Sequence, residues 1–163
     1  MAIYAERGQR ASTATTYEEA LRKGRWRAIK SQVLRRCNDL LPSRRLLDQL
    51  REQTPLHVGV EMIPIERIVG SAGRGQDFDL AFSPRSQATR ERWIRVAEAV
   101  QTGIHLPPIR VLRAGDAYFV EDGNHRVSVA SMAGDEFILA DVYELSAAEL
   151  EPNESCSRLG YSI

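Results

Sequence analysis

Apolar residues recur along this chain at two rhythms, every three or four positions and every second position, and the changes between them mark its elements. From Thr16 to about Leu41, the residues Trp26, Ile29, Val33, Cys37 and Leu40 form one stripe of an amphipathic helix. Thr16-Tyr-Glu-Glu19 has the capping-box pattern that starts such a helix, and Gly24 weakens its first turns. Pro42-Ser43 ends it and caps a second helix, about Arg44 to Glu52, with Leu46, Leu47 and Leu50 inward. The two read as an antiparallel pair.

Past the break at Thr54-Pro55 the rhythm changes. His57 to Ile63 alternates and predicts a strand, and Pro64 to Ile68 is a short apolar connection. The run from Val69 to Asp79 is a glycine-rich loop, whose backbone entropy cost needs a turn or a close ligand approach to justify it. Ser83-Pro84 leads into a long helix, about Ser86 to Thr102, that buries Trp93, Ile94, Val96, Ala97 and Val100 and closes at Gly103. A hairpin follows, Ile109 to Arg113 and Ala117 to Glu121 around Ala114-Gly-Asp116. After Gly123 a helix runs to Gly134, Phe137 to Tyr143 is a last strand, and Ser146 to Glu149 starts a short helical turn. Trp26 and Trp93 both lie on apolar stripes and are read as core. The order α-α-β-loop-α-β-β-α-β predicts an α+β domain with one small mixed sheet. Its divisions fall at 1–56 (leader and basic helical pair), 57–147 (the α+β domain) and 148–163 (tail).

Composition narrows the class. At 163 residues, 43% hydrophobic and 27% charged, the chain suits one ordinary soluble domain with a helical appendage. No apolar run approaches the roughly 18 residues that span a bilayer, and the first 17 residues lack a signal core. Cys37 and Cys156 have no metal-type spacing, so neither a zinc site nor a disulfide framework is expected. A cytoplasmic protein with no membrane contact is the expectation. Net charge is zero, yet residues 1–57 hold 12 Lys/Arg against 6 Asp/Glu, and residues 58–163 hold 10 against 16. The two parts dock on each other, or the basic helix, Arg22 to Arg36, contacts nucleic acid, or the asymmetry serves solubility alone.

The candidate chemistry gathers at Tyr118-Phe-Val-Glu-Asp-Gly-Asn-His-Arg-Val127. A strand that stops at a glycine and opens a helix leaves backbone N–H groups and the positive end of the helix dipole at one spot, which favours an anion. There Arg126 either forks a phosphate or pairs with Asp122 or Glu121. His125 bonds a phosphate oxygen, relays a proton or serves as a structural hydrogen-bonder. Asn124 caps the helix, contacts the ligand, or both. Neighbours on a strand point to opposite faces, so one of Glu121 and Asp122 is expected to hold a metal or act as base, and Asp122 is nearer the glycine. Gly70-Ser-Ala-Gly-Arg-Gly-Gln-Asp77 is a second candidate, either an anion nest with Ser71 and Arg74 as contacts and Asp77 as base, or a surface turn.

From Trp93 to Leu145 the pattern resembles the ParB/sulfiredoxin superfamily, through Pro108-Ile109-Arg110-Val111, Tyr118-Phe119-Val120, Gly123-Asn124-His125-Arg126 and Phe137 to Val142. Ile63-Pro-Ile-Glu-Arg-Ile68 resembles its first strand, which extends the match to about half the chain. The resemblance implies a ParB/sulfiredoxin-like fold whose Gly-X-X-Arg box, here Gly123 to Arg126, binds the phosphates of a nucleoside triphosphate or diphosphate (ATP, ADP or CTP), with Mg2+. Members include CTP-dependent DNA clamps, sulfiredoxins, kinases of free serine, and proteins labelled "ParB-like nuclease". Asn124 stands where sulfiredoxins carry their nucleophilic cysteine, and an amide cannot attack, so that repair chemistry is not expected. Some 20 residues follow the last strand, too few for the clamps' helix-turn-helix domain. The leading expectation is Mg-dependent phosphoryl transfer to a small-molecule acceptor, or nucleotide hydrolysis. Asp122, His125 and Asp77 would be catalytic, Asp122 the metal ligand, and Gly123, Asn124, His125, Arg126, Arg74 and Ser71 the nucleotide contacts. The alternatives are a nucleic-acid-binding, nuclease-type protein and a non-catalytic adaptor.

Overall fold

Two strands that are apolar on both faces form the middle of the molecule, and everything that positions the candidate site packs on one side of them. In a computed structural model, which describes residues 16–30, 54–72 and 76–145 and the backbone of Leu41–Pro42, the strands are β1 (Leu41–Pro42), β2 (Leu56–Pro64), β3 (Ile68–Ser71), β4 (Ile109–Ala114), β5 (Ala117–Asp122) and β6 (Phe137–Glu144). The helices are α1 (residues 16–30), α2 (Arg90–Gln101) and α3 (Asn124–Ala133). The sheet is mixed, in the order β1-β3-β5-β4-β6-β2. β4 and β5 form the antiparallel hairpin, β3 lies parallel to β5, β6 parallel to β4, and β2 antiparallel to β6. The fold is therefore α+β, as the alternating rhythms predict.

Side chains alternate across the sheet. Ile109, Val111, Tyr118 and Val120 join Ile63, Ile68, Ala140 and Val142 in a core under α3 Val127 and the loop residues Phe78 and Phe82. Leu112, Ala114, Ala117 and Phe119 form a separate cluster with Leu145. The three helices meet in a further cluster of Tyr17, Ala20, Leu21, Trp93, Ile94, Ala97 and Val129. Trp93 is 1% exposed, and its indole N–H donates to Ser128 Oγ at 2.9 Å, so a buried donor is satisfied.

Four expectations change. α1 buries Tyr17, Ala20 and Leu21, whereas Trp26 is 66% and Ile29 54% exposed, so the stripe read as core is not the stripe that packs. The reason lies in the partner segment: Tyr17 Oη donates to Ser86 O at 2.6 Å. A Cβ at Gly24 would stand 2.9 Å from Pro84 O, so that glycine permits close docking as well as weakening the helix. Leu41–Pro42 is extended and pairs with Gly70 and Ser71, where a helix end was expected. Ile68–Ser71 is likewise a strand, in a stretch read as connection and loop, because pairing between β1 and β5 outweighs the poor strand propensity of Gly70 and Ser71. Val100, read as buried, is 51% exposed. The expected helix over 44–52, the helical turn at 146–149 and the rest of the tail lie outside the described residues.

Candidate anion cleft at the start of helix α3

β5 ends at Asp122 and the chain turns through Gly123 with φ 108 and ψ 16, a left-handed conformation that costs a side chain dearly. Space makes the same demand. A Cβ at Gly123 would lie 2.5 Å from Ile109 Cγ2 and 3.2 Å from Arg126 Nε. The turn delivers the chain straight into α3, whose first ladder bond runs from Val127 N–H to Gly123 O at 3.0 Å. The residue at the cap position, Gly123, has no side chain with which to cap this helix. The amides ahead of Val127 thus stand outside the α-helical ladder, and the residues that carry them, Asn124, His125 and Arg126, line a cleft of about 420 Å3. Its other walls are Arg92 and Val96 of α2, Leu106 and Pro107, and Glu121, Asp122 and Gly123.

Arg126 is a bonded part of this architecture. Its Nη1 donates to the carbonyl of Pro107, and to that of Pro108 at 2.8 Å. Nη2 donates to Asp122 Oδ2 at 2.7 Å. The ion pair that was one of two alternatives for Arg126 is present, with two carbonyls added. Its side chain is 15% exposed, against 69% for Asp122. His125 is 5% exposed, and its ring stands edge-on to Phe78 with centroids 5.3 Å apart. The imidazole therefore packs towards the core as well as bordering the cleft. Asn124 is also 5% exposed, and its Oδ1 has no hydrogen-bond partner. It does not cap the helix, because Gly123 holds the cap position and Asn124 is already the first helical residue.

Glu121 and Asp122 both border the cleft, although strand alternation led to the expectation of only one. The strand ends there, so alternation no longer separates them. Among the described residues Asp122 is paired with Arg126, and Glu121 makes no ion pair. No group of three or more His, Cys, Asp or Glu that could hold a metal occurs among the described residues. A cation here would need phosphate or water oxygens beside one or two carboxylates, the usual habit of Mg2+.

Of the second predicted site, the described residues Ser71 and Asp77 lie away from this cleft. Ser71 ends β3 and is 2% exposed, paired in register with Val120. Asp77 sits in a turn where its carbonyl accepts from Arg85 N–H at 2.9 Å. Neither lines the cleft, and Arg74 lies outside the described residues. The loop's buried carboxylate is instead Asp79, 1% exposed. Its Oδ1 accepts N–H bonds from Ala81 at 3.0 Å and Ser83 at 2.7 Å, and Arg27 of α1 stands 3.6 Å from Oδ2. Burial raises the Asp79 carboxyl above its ordinary range, against the opposing pull of those amides and of Arg27. Sequence reading gave Asp79 no role, because Asp77-Phe-Asp79 is too short for a metal motif and the Leu80-Ala81-Phe82 run after it carries no turn signal of its own. It also passed over Arg92, which is visible only once α2 and the end of β5 face each other.

No family model matches the chain, and no curated protein does. Among solved structures it is similar to sulfiredoxin from Arabidopsis thaliana, with 16% identity over 53% of this chain and 85% of that one, and a TM-score of 0.40. No helix among the described residues is long and apolar enough to cross a membrane.

Proposed function

We propose that the cleft at the start of α3 binds the phosphate groups of a nucleoside triphosphate or diphosphate with Mg2+, and that the protein uses them for phosphoryl transfer to a small acceptor or for hydrolysis. The observation that carries this reading is the uncapped start of α3 behind the left-handed Gly123, opening into a 420 Å3 cleft. First-turn amides and the helix dipole favour negative charge there by about 0.3–1 kcal/mol even without a cation. The buried Asn124 Oδ1, with no partner of its own, is an acceptor that a hydroxyl of the nucleotide or a Mg2+-bound water would satisfy beside the phosphate. Glu121 suits Mg2+ or the acceptor's proton better than Asp122, whose carboxylate holds Arg126. His125, buried against Phe78, fits a role in shaping the floor of the site.

Calorimetry with ATP, ADP and CTP, each with Mg2+, tests the binding. Asn124→Asp places a negative charge where the phosphate would sit, with almost no change of shape. The expected result is binding by the wild type that weakens about tenfold or more in the variant, which keeps its far-ultraviolet dichroism. An inert wild type, or a variant that binds as well, refutes the reading. Release of ADP or inorganic phosphate would then separate turnover from binding alone.

A further inference from the structure

We propose that the two arginines of the cleft divide the work: Arg92 supplies the cation for the bound phosphate, and Arg126 is a positioning residue that straps the Pro107–Pro108 wall to the end of β5. The inference rests on the phosphate reading above and assigns roles within that site.

Three acceptors already hold the Arg126 guanidinium: the carbonyls of Pro107 and Pro108 and the carboxylate of Asp122. Both hydrogens of Nη1 and one of Nη2 are spent on them. To fork a phosphate with Nη1 and Nη2, this side chain would have to leave two carbonyls and its own counter-ion, each a charge-assisted bond. What the three bonds do achieve is geometric. Pro107 and Pro108 have no amide hydrogens and cannot anchor themselves by donation, so the loop between α2 and β4 is fixed at its carbonyls from across the cleft. The same arginine fixes Asp122 beside the left-handed Gly123. Arg126 thus joins a loop, a strand end and a helix start, and so sets the width of the opening.

Arg92 is in the opposite condition. It lines the same cleft from α2, is exposed, and makes no hydrogen bond or ion pair among the described residues. The neighbouring cations of α2 are differently placed: Arg90 pairs with Glu18 and Glu91, and Arg95 Nε donates to Glu91 O. A guanidinium opposite the first-turn amides of α3 gives a phosphate a charge on one side and backbone donors on the other.

The test is calorimetry on the full chain with ATP and Mg2+, at low and moderate salt, for wild type, Arg92→Ala, Arg126→Ala and Arg126→Lys, with thermal unfolding of each. Arg92→Ala is expected to keep the wild-type melting temperature, bind about tenfold or more weakly, and lose part of the salt dependence, because one direct charge contact is gone. Arg126→Ala is expected to melt several degrees lower and, where it remains folded, to keep the wild-type salt dependence. Arg126→Lys separates the roles. A lysine retains the charge but cannot serve three acceptors in one plane, so it should behave like alanine. Arg92→Ala binding like wild type, or Arg126→Ala losing salt dependence that Arg126→Lys restores, overturns the division of roles while the phosphate reading stands. A wild type that binds nothing overturns both.

Discussion

The Asp79 turn and the Gly123 turn are built from the same parts and finish in different states. Each passes through a left-handed residue, Phe82 with φ 55 in one and Gly123 with φ 108 in the other. Each gathers backbone N–H groups beside an arginine. At the first, the chain brings its own anion: Asp79 Oδ1 takes the amides of Ala81 and Ser83, and Arg27 stands behind it. At the second, the cap position is a glycine with no side chain to offer, and the nearby carboxylate of Asp122 is turned to Arg126 instead. The first turn is closed and serves the fold, docking α1 through Arg27 and Ser83 at 2.7 Å. The second opens into a cleft. An anion nest that the protein fills with its own carboxylate is structure, and the one at α3 is where we propose that a ligand binds.

The comparison can be broken most forcefully at Gly123. Gly123→Ala combines backbone strain with a methyl driven into Ile109, and should cost about 2–5 kcal/mol in denaturant unfolding while removing nucleotide binding. A loss under about 1 kcal/mol would mean that the turn is not needed in this form. Asp79→Ala comes next. It strands one buried and one partly buried amide donor and should cost about 2 kcal/mol, with affinity for ATP and Mg2+ held within about threefold. A large fall in affinity would show that the two turns are coupled.

The pH dependence of the closed turn sharpens the contrast further. Because burial raises the Asp79 carboxyl, the folded state holds that proton more tightly than the unfolded chain does. Its contribution to stability is therefore favourable at low pH. It declines as pH rises from the ordinary 3.8 through the raised value, and is level above it. Asp79→Asn keeps an acceptor at Oδ1 and removes the charge, so the melting temperature of wild type relative to this variant should fall over that window. A difference that is flat, or that rises with pH, contradicts the assignment. The smallest effect is expected at Arg27→Ala, about 1 kcal/mol, because that guanidinium is 42% exposed and water replaces much of its contact.

The elements with strong local signals were readable from sequence: the alternation of β2, the hairpin of β4 and β5, Trp93 on α2, and the glycines that close α2 and α3. The turn of Gly123 into a helix was readable for the same reason, since only a glycine tolerates that backbone. What escaped was set by partners distant in sequence. Leu41–Pro42 and Ile68–Ser71 are strands because each lies beside another, and neither has a pattern of its own. Trp26 belongs to a regular stripe, yet α1 turns another stripe inward because Tyr17 finds Ser86 and Thr89. In the cleft, spacing collected Asp122 to Arg126 but gave no hint that Arg126 would be tied to Pro107 and Pro108, or that Arg92 would face them. Sequence spacing places residues on elements, whereas the facing of elements decides which side chains remain available.

The central claim concerns amides, and amide chemical shifts test it most directly. Titration of the isotope-labelled protein with ATP and Mg2+ should move the backbone N–H signals of Asn124, His125 and Arg126 downfield in saturable fashion. Those of Ala81 and Ser83, already bonded to Asp79, should stay in place. Unmoved signals at 124–126 under conditions where they are well resolved, or equal movement at both turns, would contradict the account.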